Sequence, residues 1–321
     1  MQTGSDHIYL PDQVLEQLGI TPPQIADAIE AALVAKAEGR LHTTPKSAIL
    51  PGDGRFMMST LAVGDDGLVV VKSVGVYPKN ADRGLDAING AVIVMDAETG
   101  LLRAVMGANW ITGVRTAALS AVAARRLANP NAETVAFVGC GVQASSHLAA
   151  YMAMFPLKKI LAVGRGTANV ERLCEEARGV GLEAQRATAE DALREADLVV
   201  SSITLDYSVA PFLDARWLKP GAFAAVTDLF ISWTPEGSTA FDTIVVDDLE
   251  QERASEKPMV PFDQIKDDLT GLIGRDDLAF RPDQVTAFAF RGLALGDYAA
   301  TALALRVAEA KGAGQHIVAG P

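Results

Sequence analysis

The pattern of apolar positions differs between the two parts of the chain that meet near residue 133. The first part contains apolar runs typical of strands, of which Leu68–Val76 is the clearest. In the second part, short apolar runs such as Thr134–Val138 and Lys159–Val163 alternate with helix-period segments. Strands that alternate with helices predict a parallel sheet with helices on both faces. We therefore expect an α/β chain: a Rossmann-type, doubly wound parallel sheet plus a separate α+β N-terminal domain.

Helix-period patterns with recognisable ends predict three longer helices. Thr21, followed by two prolines, caps a helix that ends near Gly39. A second helix, rich in small residues, is predicted over residues 112–127, and an alanine-rich helix over residues 296–311. The tail beyond the last helix is expected to fray.

A glycine-rich turn joins the predicted strand Thr134–Val138 to a helix. Its pattern is G-x-G-x-x-A, formed by Gly139, Gly141 and Ala144. The first glycine permits a tight turn, the second lets the backbone approach a pyrophosphate, and the alanine lets helix and strand pack closely. The N-terminus of the helix then offers N–H groups and a positive dipole end to phosphates. In this context the turn predicts a dinucleotide site, and the alternative is an ordinary strand-to-helix turn.

The segment after the next strand, Lys159–Val163, bears on the choice of dinucleotide. NAD sites usually carry an Asp or Glu there, which binds the ribose 2′-hydroxyl. This chain has Gly-Arg-Gly-Thr instead, so Arg165 and Thr167 stand where a 2′-phosphate would lie. We expect NADP(H) to be favoured, with NAD(H) possible. The alternative is a solvated arginine in a chain that accepts either cofactor.

Lys72 is the first candidate for chemistry. It lies inside the apolar run Leu68–Val76, where an ammonium is costly unless it points into a cleft or at an anion. Partial desolvation would lower its pKa and make it a usable proton donor. The alternative is a strand whose second face is exposed to water.

Two further cations are candidates for binding a carboxylate. Arg115 lies in the first turn of the helix predicted over residues 112–127, where a cation opposes the helix dipole, so we expect it to have an anionic partner. That partner is either a substrate carboxylate or a structural salt bridge. Lys46, which follows Pro45 in a polar loop, is a second candidate for the same carboxylate.

Asp228 follows the apolar run Phe223–Val226. In a parallel sheet the ligand crevice lies beyond the carboxyl ends of the strands. A carboxylate there could bind a substrate amine or act as a base, and a capping role is the alternative. Phe230, Trp233 and Arg291 are further candidates to shape the substrate pocket, but the sequence does not place them.

Charge and composition exclude several classes of protein. The net charge is −12 with no basic patch, so we expect no nucleic-acid partner. No apolar run reaches the ~18 residues of a membrane span, and the first ten residues lack the features of a signal peptide. The only cysteines, Cys140 and Cys174, favour a reducing cytoplasm. The four histidines show no metal-site spacing, so we expect no metal, and His147 is interpreted as helix surface.

Several of these residues together resemble the ornithine cyclodeaminase/mu-crystallin family. The resemblance covers nearly the whole chain, and its most specific parts are the R-T-A-A helix and the G-x-G-x-Q turn. The motifs are Lys46, Gly54-Arg55-Phe56, Lys72, Pro78-Lys79-Asn80, Asp96 with Thr99-Gly100, Arg115-Thr116-Ala117-Ala118, Gly139 to Ala144, and Gly296-Asp297.

The resemblance implies a homodimer with two domains in each subunit. Residues 1–114, with about 298–321, would form the substrate-binding and dimerisation domain, and residues 115–297 the Rossmann NAD(P)-binding domain. Lys46, Lys72 and Arg115 would surround the substrate's carboxylate and reacting nitrogen. The cofactor would contact Thr116, Val142 and Gln143 besides the residues of the glycine turn and Arg165 and Thr167.

The expected function is that of an NADP(H)-dependent oxidoreductase acting at the C–N bond of a small α-amino or α-imino acid. Lys72 would exchange a proton with the nitrogen, and Asp228 would hold an amine or position water. An ornithine cyclodeaminase-type ammonia-lyase with recycled NAD is one alternative. After this strand, cyclodeaminases carry Asp followed by Pro-Gly-Lys, whereas this chain has the run from Thr227 to Trp233, with Asp228 about one position out of step. The other alternative is an NADP(H)-binding protein without turnover, as in lens crystallins.

Overall fold

The structure, a computed structural model, describes residues 6–318, with Ala81 described by its backbone alone. Residues 1–5, which include the start of the segment examined for a signal peptide, lie outside the described residues. The same holds for residues 319–321, the end of the tail expected to fray.

The first part of the chain combines strands with three helices that precede or follow them. In chain order its elements are β1 (His7–Leu10), α1 (Asp12–Glu16), α2 (Pro22–Ala37), β2 (Leu41–Thr43), β3 (Ser47–Ile49), β4 (Phe56–Gly64), β5 (Leu68–Val76), a 3-10 helix (Pro78–Arg83), β6 (Ile88–Asp96), β7 (Leu102–Gly107) and α3 (Asn109–Leu127).

The second part alternates between strands and helices. Its elements are β8 (Thr134–Val138), α4 (Val142–Met152), β9 (Lys159–Val163), α5 (Thr167–Gly179), β10 (Glu183–Arg186), α6 (Ala189–Glu195), β11 (Leu198–Ser201), β12 (Phe223–Val226), α7 (Pro235–Ser238), β13 (Thr243–Val246), α8 (Leu249–Arg253), β14 (Ile265–Asp268), α9 (Leu269–Leu272) and β15 (Thr286–Ala289). Three short 3-10 helices interrupt the loops, at Ala215–Trp217, Phe262–Gln264 and Asp276–Leu278. The chain continues with α10 (Ala294–Lys311) and β16 (Gln315–Ile317).

The chain divides into two compact units. Unit 1 contains the chain through Arg115 and again from Gly292, and unit 2 is Thr116–Arg291. Unit 1 is therefore discontinuous in sequence, whereas unit 2 is one continuous segment.

Unit 1 is built on a mostly antiparallel sheet in the order β16-β1-β7-β6-β5-β4-β2, with β3 also paired to β4. The exception to the antiparallel pairing is β1, which lies parallel to β7. The prediction that the tail frays is wrong for Gln315–Ile317, which pairs antiparallel with β1. Gly312 ends α10 in the left-handed conformation (φ 61°), and the chain that follows reaches the free edge of β1.

The register of this sheet gives its two faces different character, because directly paired residues of neighbouring strands point to the same face. One row is buried, and α10 packs against β4 and β5. We call it the inner row, and it consists of Thr60, Lys72, Val92, Met106 and Leu10. The adjacent outer row, on the opposite face, consists of Leu61, Val71, Ile93, Val105 and Tyr9.

Unit 2 is built on an all-parallel sheet in the order β10-β9-β8-β11-β12-β15-β13-β14. The order from β10 to β12 is the 3-2-1-4-5 arrangement of the Rossmann fold, in which the direction of strand progression reverses beside the first strand. All side chains of β11, β12, β13 and β15 are buried. A parallel sheet covered on both faces explains these continuous apolar strands. The prediction of a Rossmann-type domain beside an α+β domain is confirmed.

The helix α3 begins at Asn109, so the predicted start at residue 112 is wrong. A carboxylate from a distant part of the chain caps its first turn: Asp12 Oδ1 accepts a hydrogen bond of 2.7 Å from the backbone N–H of Trp110. Gly107 makes room for this contact, since a Cβ there would lie 2.4 Å from Asp12 Oδ2. Arg115 consequently lies in the second turn of the helix, and the dipole argument for its anionic partner loses force.

The interpretation of His147 as helix surface is also wrong, because His147 is fully buried in unit 2. Its Nδ1 lies 2.7 Å from the carbonyl oxygen of Gln143, and its Nε2 lies 2.9 Å from Ser120 Oγ on α3. A carbonyl can only accept, so Nδ1 carries the proton and Nε2 accepts from the serine. Burial lowers the pKa of His147 to about 4, which keeps it neutral, and its bond to Ser120 links α4 to α3.

Candidate functional site

Lys72 lies at the centre of β5 and is 1% exposed. Its ammonium donates to Asp297 Oδ1 at 2.5 Å and to Thr112 Oγ1 at 3.3 Å. The sequence predicts an ammonium directed at an anion or into a cleft, and within unit 1 the structure supplies the anion. The alternative of a strand face exposed to water does not apply to Lys72.

Asp297 provides that anion from the fourth residue of α10. It is 1% exposed and is contacted by three side chains on three different elements, two through hydrogen bonds and Arg115 through an ion pair. Besides Lys72, these are Arg115, whose Nε lies 2.9 Å from Oδ1, and Thr60, whose hydroxyl lies 2.8 Å from Oδ2. From the sequence alone, Asp297 is recognised only as part of the Gly296-Asp297 motif of the family resemblance, without a role of its own. A carboxylate in an alanine-rich helix that is buried on most sides is the signal that would have singled it out.

The charges around Lys72 set its protonation. Burial, followed by the nearby guanidinium of Arg115, lowers the pKa of Lys72, while Asp297 opposes both effects, and the resulting pKa is about 8. Burial also works against ionisation of Asp297, but Arg115 and Lys72 outweigh it and hold the pKa of this carboxyl below its usual value. An ammonium with a pKa near physiological pH can both give and take a proton.

Arg115 is 5% exposed on α3. Lys46, in the loop between β2 and β3, is half-buried with its ammonium 5.7 Å from the centre of the Phe56 ring. Its charge also contributes to lowering the pKa of Lys72. Lys46, Lys72, Arg115 and Asp297 therefore form one electrostatically coupled group in unit 1, which we call the cation cluster. The cationic side chains of this cluster attract anionic ligands.

In unit 2, the glycine turn connects β8 to α4. Gly139 has a φ of 94°, and a Cβ there would lie 2.7 Å from the backbone oxygen of Ser202, which follows β11. Glycine is thus required at this position by both conformation and space. Ala144 is fully buried, in keeping with the close packing predicted for the third position. The turn lies at the carboxyl ends of β8 and β11, where the strand order reverses.

Gly141 is different, because the fold itself does not require it to be glycine. Its φ is −86°, and a Cβ there would meet no atom within 4 Å. It caps α4 without a side-chain hydrogen bond, and Val142 beside it is 71% exposed. Gln143 Oε1 is buried and accepts no hydrogen bond from the described residues. The open space beside Gly141 lies at the N-terminus of α4, which no side chain caps, and it suits a dinucleotide pyrophosphate. A Cβ at this position would take up part of that space.

The other residues expected to contact the cofactor lie on α3 and in the segment that joins β9 to α5. Thr116 is buried on α3, and Arg165 and Thr167 are exposed between β9 and the first turn of α5. Arg172 on α5 donates a 2.9 Å hydrogen bond to the carbonyl of Cys140 and so supports the glycine turn. Nothing in the sequence pattern singled out this arginine.

Asp228 lies just beyond the carboxyl end of β12, inside unit 2, and is 3% exposed. Its oxygens accept from Ser232 Oγ at 2.7 Å and from Ser201 Oγ at 3.2 Å. Burial raises the pKa of Asp228 to about 6, although these hydrogen bonds oppose the shift. The next two residues, Leu229 and Phe230, have φ of 57° and 61°, an uncommon conformation for non-glycine residues.

The three residues considered for the substrate pocket have partners within unit 2. Phe230 and Trp233 are buried and pack on each other and on Phe241. Arg291 binds Glu252 and the carbonyl of Lys257 through its guanidinium, at 2.8 Å in each case. These contacts account for the three side chains as parts of the unit's interior.

Residues 6–318 show neither a cluster of metal ligands nor a membrane-spanning helix. No three His, Cys, Asp or Glu side chains in this range come together as metal ligands would. None of the helices in the same range combines the length and hydropathy needed to cross a bilayer.

The strand order and the glycine turn define unit 2 as a Rossmann-type nucleotide-binding fold, accompanied in unit 1 by a buried cation cluster. The chain belongs to the ornithine cyclodeaminase/mu-crystallin family, whose model matches residues 7–311. The resemblance found in the sequence is thereby confirmed.

Named relatives of this chain include an alanine dehydrogenase and a ketimine reductase. An alanine dehydrogenase of Archaeoglobus fulgidus is 28% identical over 327 residues, which cover 97% of this chain and 98% of that protein. The ketimine reductase mu-crystallin of Rattus norvegicus is 30% identical over 166 residues, 52% of this chain and 51% of that protein. Among solved structures, an archaeal alanine dehydrogenase dimer with bound NAD matches at a TM-score of 0.86 and 26% identity, covering 98% of this chain and 99% of that one.

The two glycines of the turn predict opposite consequences of the same substitution. Gly139→Ala should lower the free energy of unfolding by about 1–3 kcal/mol, because it forces a strained φ and a backbone clash. Gly141→Ala should change it by less than about 1 kcal/mol but weaken binding of a dinucleotide, since the added methyl group enters open space. Urea unfolding and fluorescence titration with NADPH measure the two effects. Equal effects of both substitutions on stability, or unchanged binding in Gly141→Ala, would contradict this assignment.

Proposed function

We propose that the protein is an NADP(H)-dependent oxidoreductase that acts at the C–N bond of a small α-amino or α-imino acid. The observation that carries the proposal is the cation cluster of unit 1, in which a buried lysine with a lowered pKa lies beside an arginine. The names of the relatives, an alanine dehydrogenase and a ketimine reductase, support the same reaction class. In this proposal unit 1 binds the substrate and unit 2 binds the cofactor.

The substrate carboxylate binds to Arg115 and Lys46. A guanidinium can hold a carboxylate through two parallel hydrogen bonds, which fixes the orientation of the α-carbon as well as the charge. Arg115 is buried and Lys46 is half-buried, so a carboxylate bound to these cations gains a favourable electrostatic interaction that water screens only partly.

Lys72 exchanges the proton of the reacting nitrogen. A bound nicotinamide supplies the hydride for reduction or accepts it in oxidation. In reduction, protonated Lys72 would give its proton to the imine nitrogen; the carbon of the resulting iminium would accept the hydride, and the π electron pair would become the lone pair of the amine nitrogen. In oxidation, neutral Lys72 would take a proton from the substrate's ammonium group. Arg115 and Lys46, by holding the carboxylate, would fix the α-carbon for this transfer.

Reduction of imines with NADPH tests the proposal. Δ1-pyrroline-2-carboxylate, Δ1-piperideine-2-carboxylate, and pyruvate with ammonia or methylamine serve as probes, and loss of reduced-cofactor absorbance is followed. We expect turnover with at least one probe. Lys72→Met should lower kcat by about 10²- to 10⁴-fold, because it removes the proton donor while filling the same space.

Two alternatives give different results in the same experiments. Ammonia release from ornithine or lysine, with no net change in cofactor, would show a cyclodeaminase. NADPH binding with no turnover on any probe would show a binding protein of the mu-crystallin kind. Normal turnover by Lys72→Met would contradict the role of Lys72.

The preference for NADP(H) rests on the segment between β9 and α5. Between Lys159 and Thr167 the chain has no carboxylate to bind a ribose 2′-hydroxyl, and it offers an exposed guanidinium and hydroxyl instead. We propose that Arg165 and Thr167 bind the 2′-phosphate.

Arg165→Ala should raise the KM for NADPH about 10- to 100-fold and leave that for NADH nearly unchanged, since a hydrogen bond to a charged group is worth about 1.5–3 kcal/mol. Arg194→Ala is the matched control, because Arg194 is an exposed arginine of α6 paired with Glu190. An unchanged KM for NADPH in Arg165→Ala would show that another group recognises the phosphate.

We propose further that the protein forms a homodimer through the outer row of unit 1. Tyr9, Leu61 and Ile93 are 41%, 38% and 41% exposed, and the row continues across five paired strands. A contiguous apolar sheet face is costly in water and typical of a protein interface. A second copy is the occupant, as the dimer of the archaeal alanine dehydrogenase supports. The free, buried Cys140 and Cys174 support a cytoplasmic location.

Ile93→Asp should convert the dimer to a monomer, because it places a carboxylate in the middle of the apolar face. Sedimentation velocity at micromolar concentration measures the change. Val180→Asp, at an exposed position of unit 2, is the control and should remain dimeric. A wild-type monomer, or a dimeric Ile93→Asp variant, would refute this interface.

A further inference from the structure

Asp297 connects the elements that carry the cation cluster, although 225 residues separate it from Lys72. Lys72 comes from β5, Arg115 from α3 and Thr60 from β4, and each is bound to the same carboxylate of α10. The proposed function assigns the substrate to Lys46 and Arg115 and the proton to Lys72, and gives no role to Asp297.

We propose that Asp297 is a positioning residue of this reaction: its carboxylate fixes the ammonium of Lys72 and the guanidinium of Arg115, and keeps the proton on Lys72 until the substrate nitrogen takes it. The inference rests on the proposed function and adds the group that controls its proton donor.

The geometry leaves Asp297 little freedom. Oδ1 is shared by Lys72 Nζ at 2.5 Å and Arg115 Nε at 2.9 Å, while Oδ2 accepts from Thr60 at 2.8 Å. Thr60 is also the direct cross-strand partner of Lys72. Contacts to both oxygens oppose rotation of the carboxylate, so the two cations keep a constant separation.

The same geometry directs the proton of Lys72. An ammonium has three N–H donors. Asp297 and Thr112 accept two of them, so a third remains to be directed at a substrate nitrogen. Asp297 thus sets the direction of donation without itself contacting the reacting atoms.

Charge gives Asp297 a second effect. The charged groups around Lys72 come from three places: Arg115 on α3, Lys46 in the β2–β3 loop, and Asp297 on α10. The facing residue of β4, Thr60, carries no charge. Without Asp297, Lys72 faces two cations in a buried site, and both burial and like charge favour loss of its proton. Reduction starts from the protonated lysine and oxidation from the neutral one, so Asp297 favours the protonation state from which reduction starts.

Asp297→Asn tests this inference, since it removes the charge and keeps the shape. Protein with ¹³C at lysine Cε is titrated by NMR, and the Lys72 signal is assigned with Lys72→Met. The carboxylate raises the pKa of Lys72 in the wild type, so its loss should move the titration about one to three pH units lower. The alkaline limb of the reductive kcat should move down with it, and the acid limb of the oxidative kcat should move in the same direction.

Two other variants separate this role from a structural one. Thr60→Val removes the hydrogen bond to Oδ2 and leaves the charge, so activity falls while the titration of Lys72 stays in place. Arg115→Gln removes a neighbouring cation and should move the titration of Lys72 upward. This opposite shift remains measurable even if Asp297→Asn does not fold, and its absence would then refute the electrostatic coupling.

The outcomes distinguish the inference from the function on which it rests. A folded Asp297→Asn variant in which Lys72 titrates as in the wild type would overturn the role of Asp297. A titration that moves as expected, in a wild-type protein without turnover on any probe, would support the control of Lys72 by Asp297 and overturn the proposed reaction.

Discussion

The structure of unit 1 depends on the neutralisation of a buried ammonium. Removing Lys72 and Arg115 from water costs several kcal/mol per ion unless an anion and further hydrogen bonds compensate them. Asp297 supplies the charge, and Thr60 and Thr112 supply hydroxyl groups. This requirement couples the consecutive strands β4 and β5 to α3 and to α10, and α10 lies far from the others along the chain. An apolar interior would hold them together as well, but would not give them a common centre of charge.

The two faces of the sheet of unit 1 have different proposed roles, one in the cation cluster and one in the dimer interface. The register of the strands determines which residues lie on each face. Lys72 lies in the inner row, and its neighbours Val71 and Ser73 point to the opposite face. Moving β5 by one residue relative to its neighbours would exchange the faces, so that the ammonium reached the proposed interface and a valine faced Asp297. The ladder from β4 through β7 therefore sets, in a single pattern of hydrogen bonds, the positions of both the proposed proton donor and the proposed dimer interface.

Whether a feature could be predicted from the sequence depends on how far apart along the chain its interacting residues lie. The strand, turn and helix of the glycine turn all lie within Thr134–Met152, and each residue type in it has a conformational reason. Such local features can be predicted from the sequence. Lys72 attracted attention since it breaks an apolar run. Asp297 could not be paired with it, because no local pattern specifies a contact across 225 residues. The start of α3 was misplaced for the same reason, as its cap comes from Asp12. His147 was misjudged because its serine partner lies on another helix.

The discontinuity of unit 1 has a consequence for biosynthesis. A ribosome that has just completed Arg115 has made the inner row with its lysine but not α10, which supplies the only carboxylate of the cation cluster. Unit 2 is continuous and can form its sheet while the remainder is still being translated. During that interval the inner row lacks the helix that packs against β4 and β5 in the finished unit. Exposed apolar surface of this kind makes incompletely folded chains prone to aggregation.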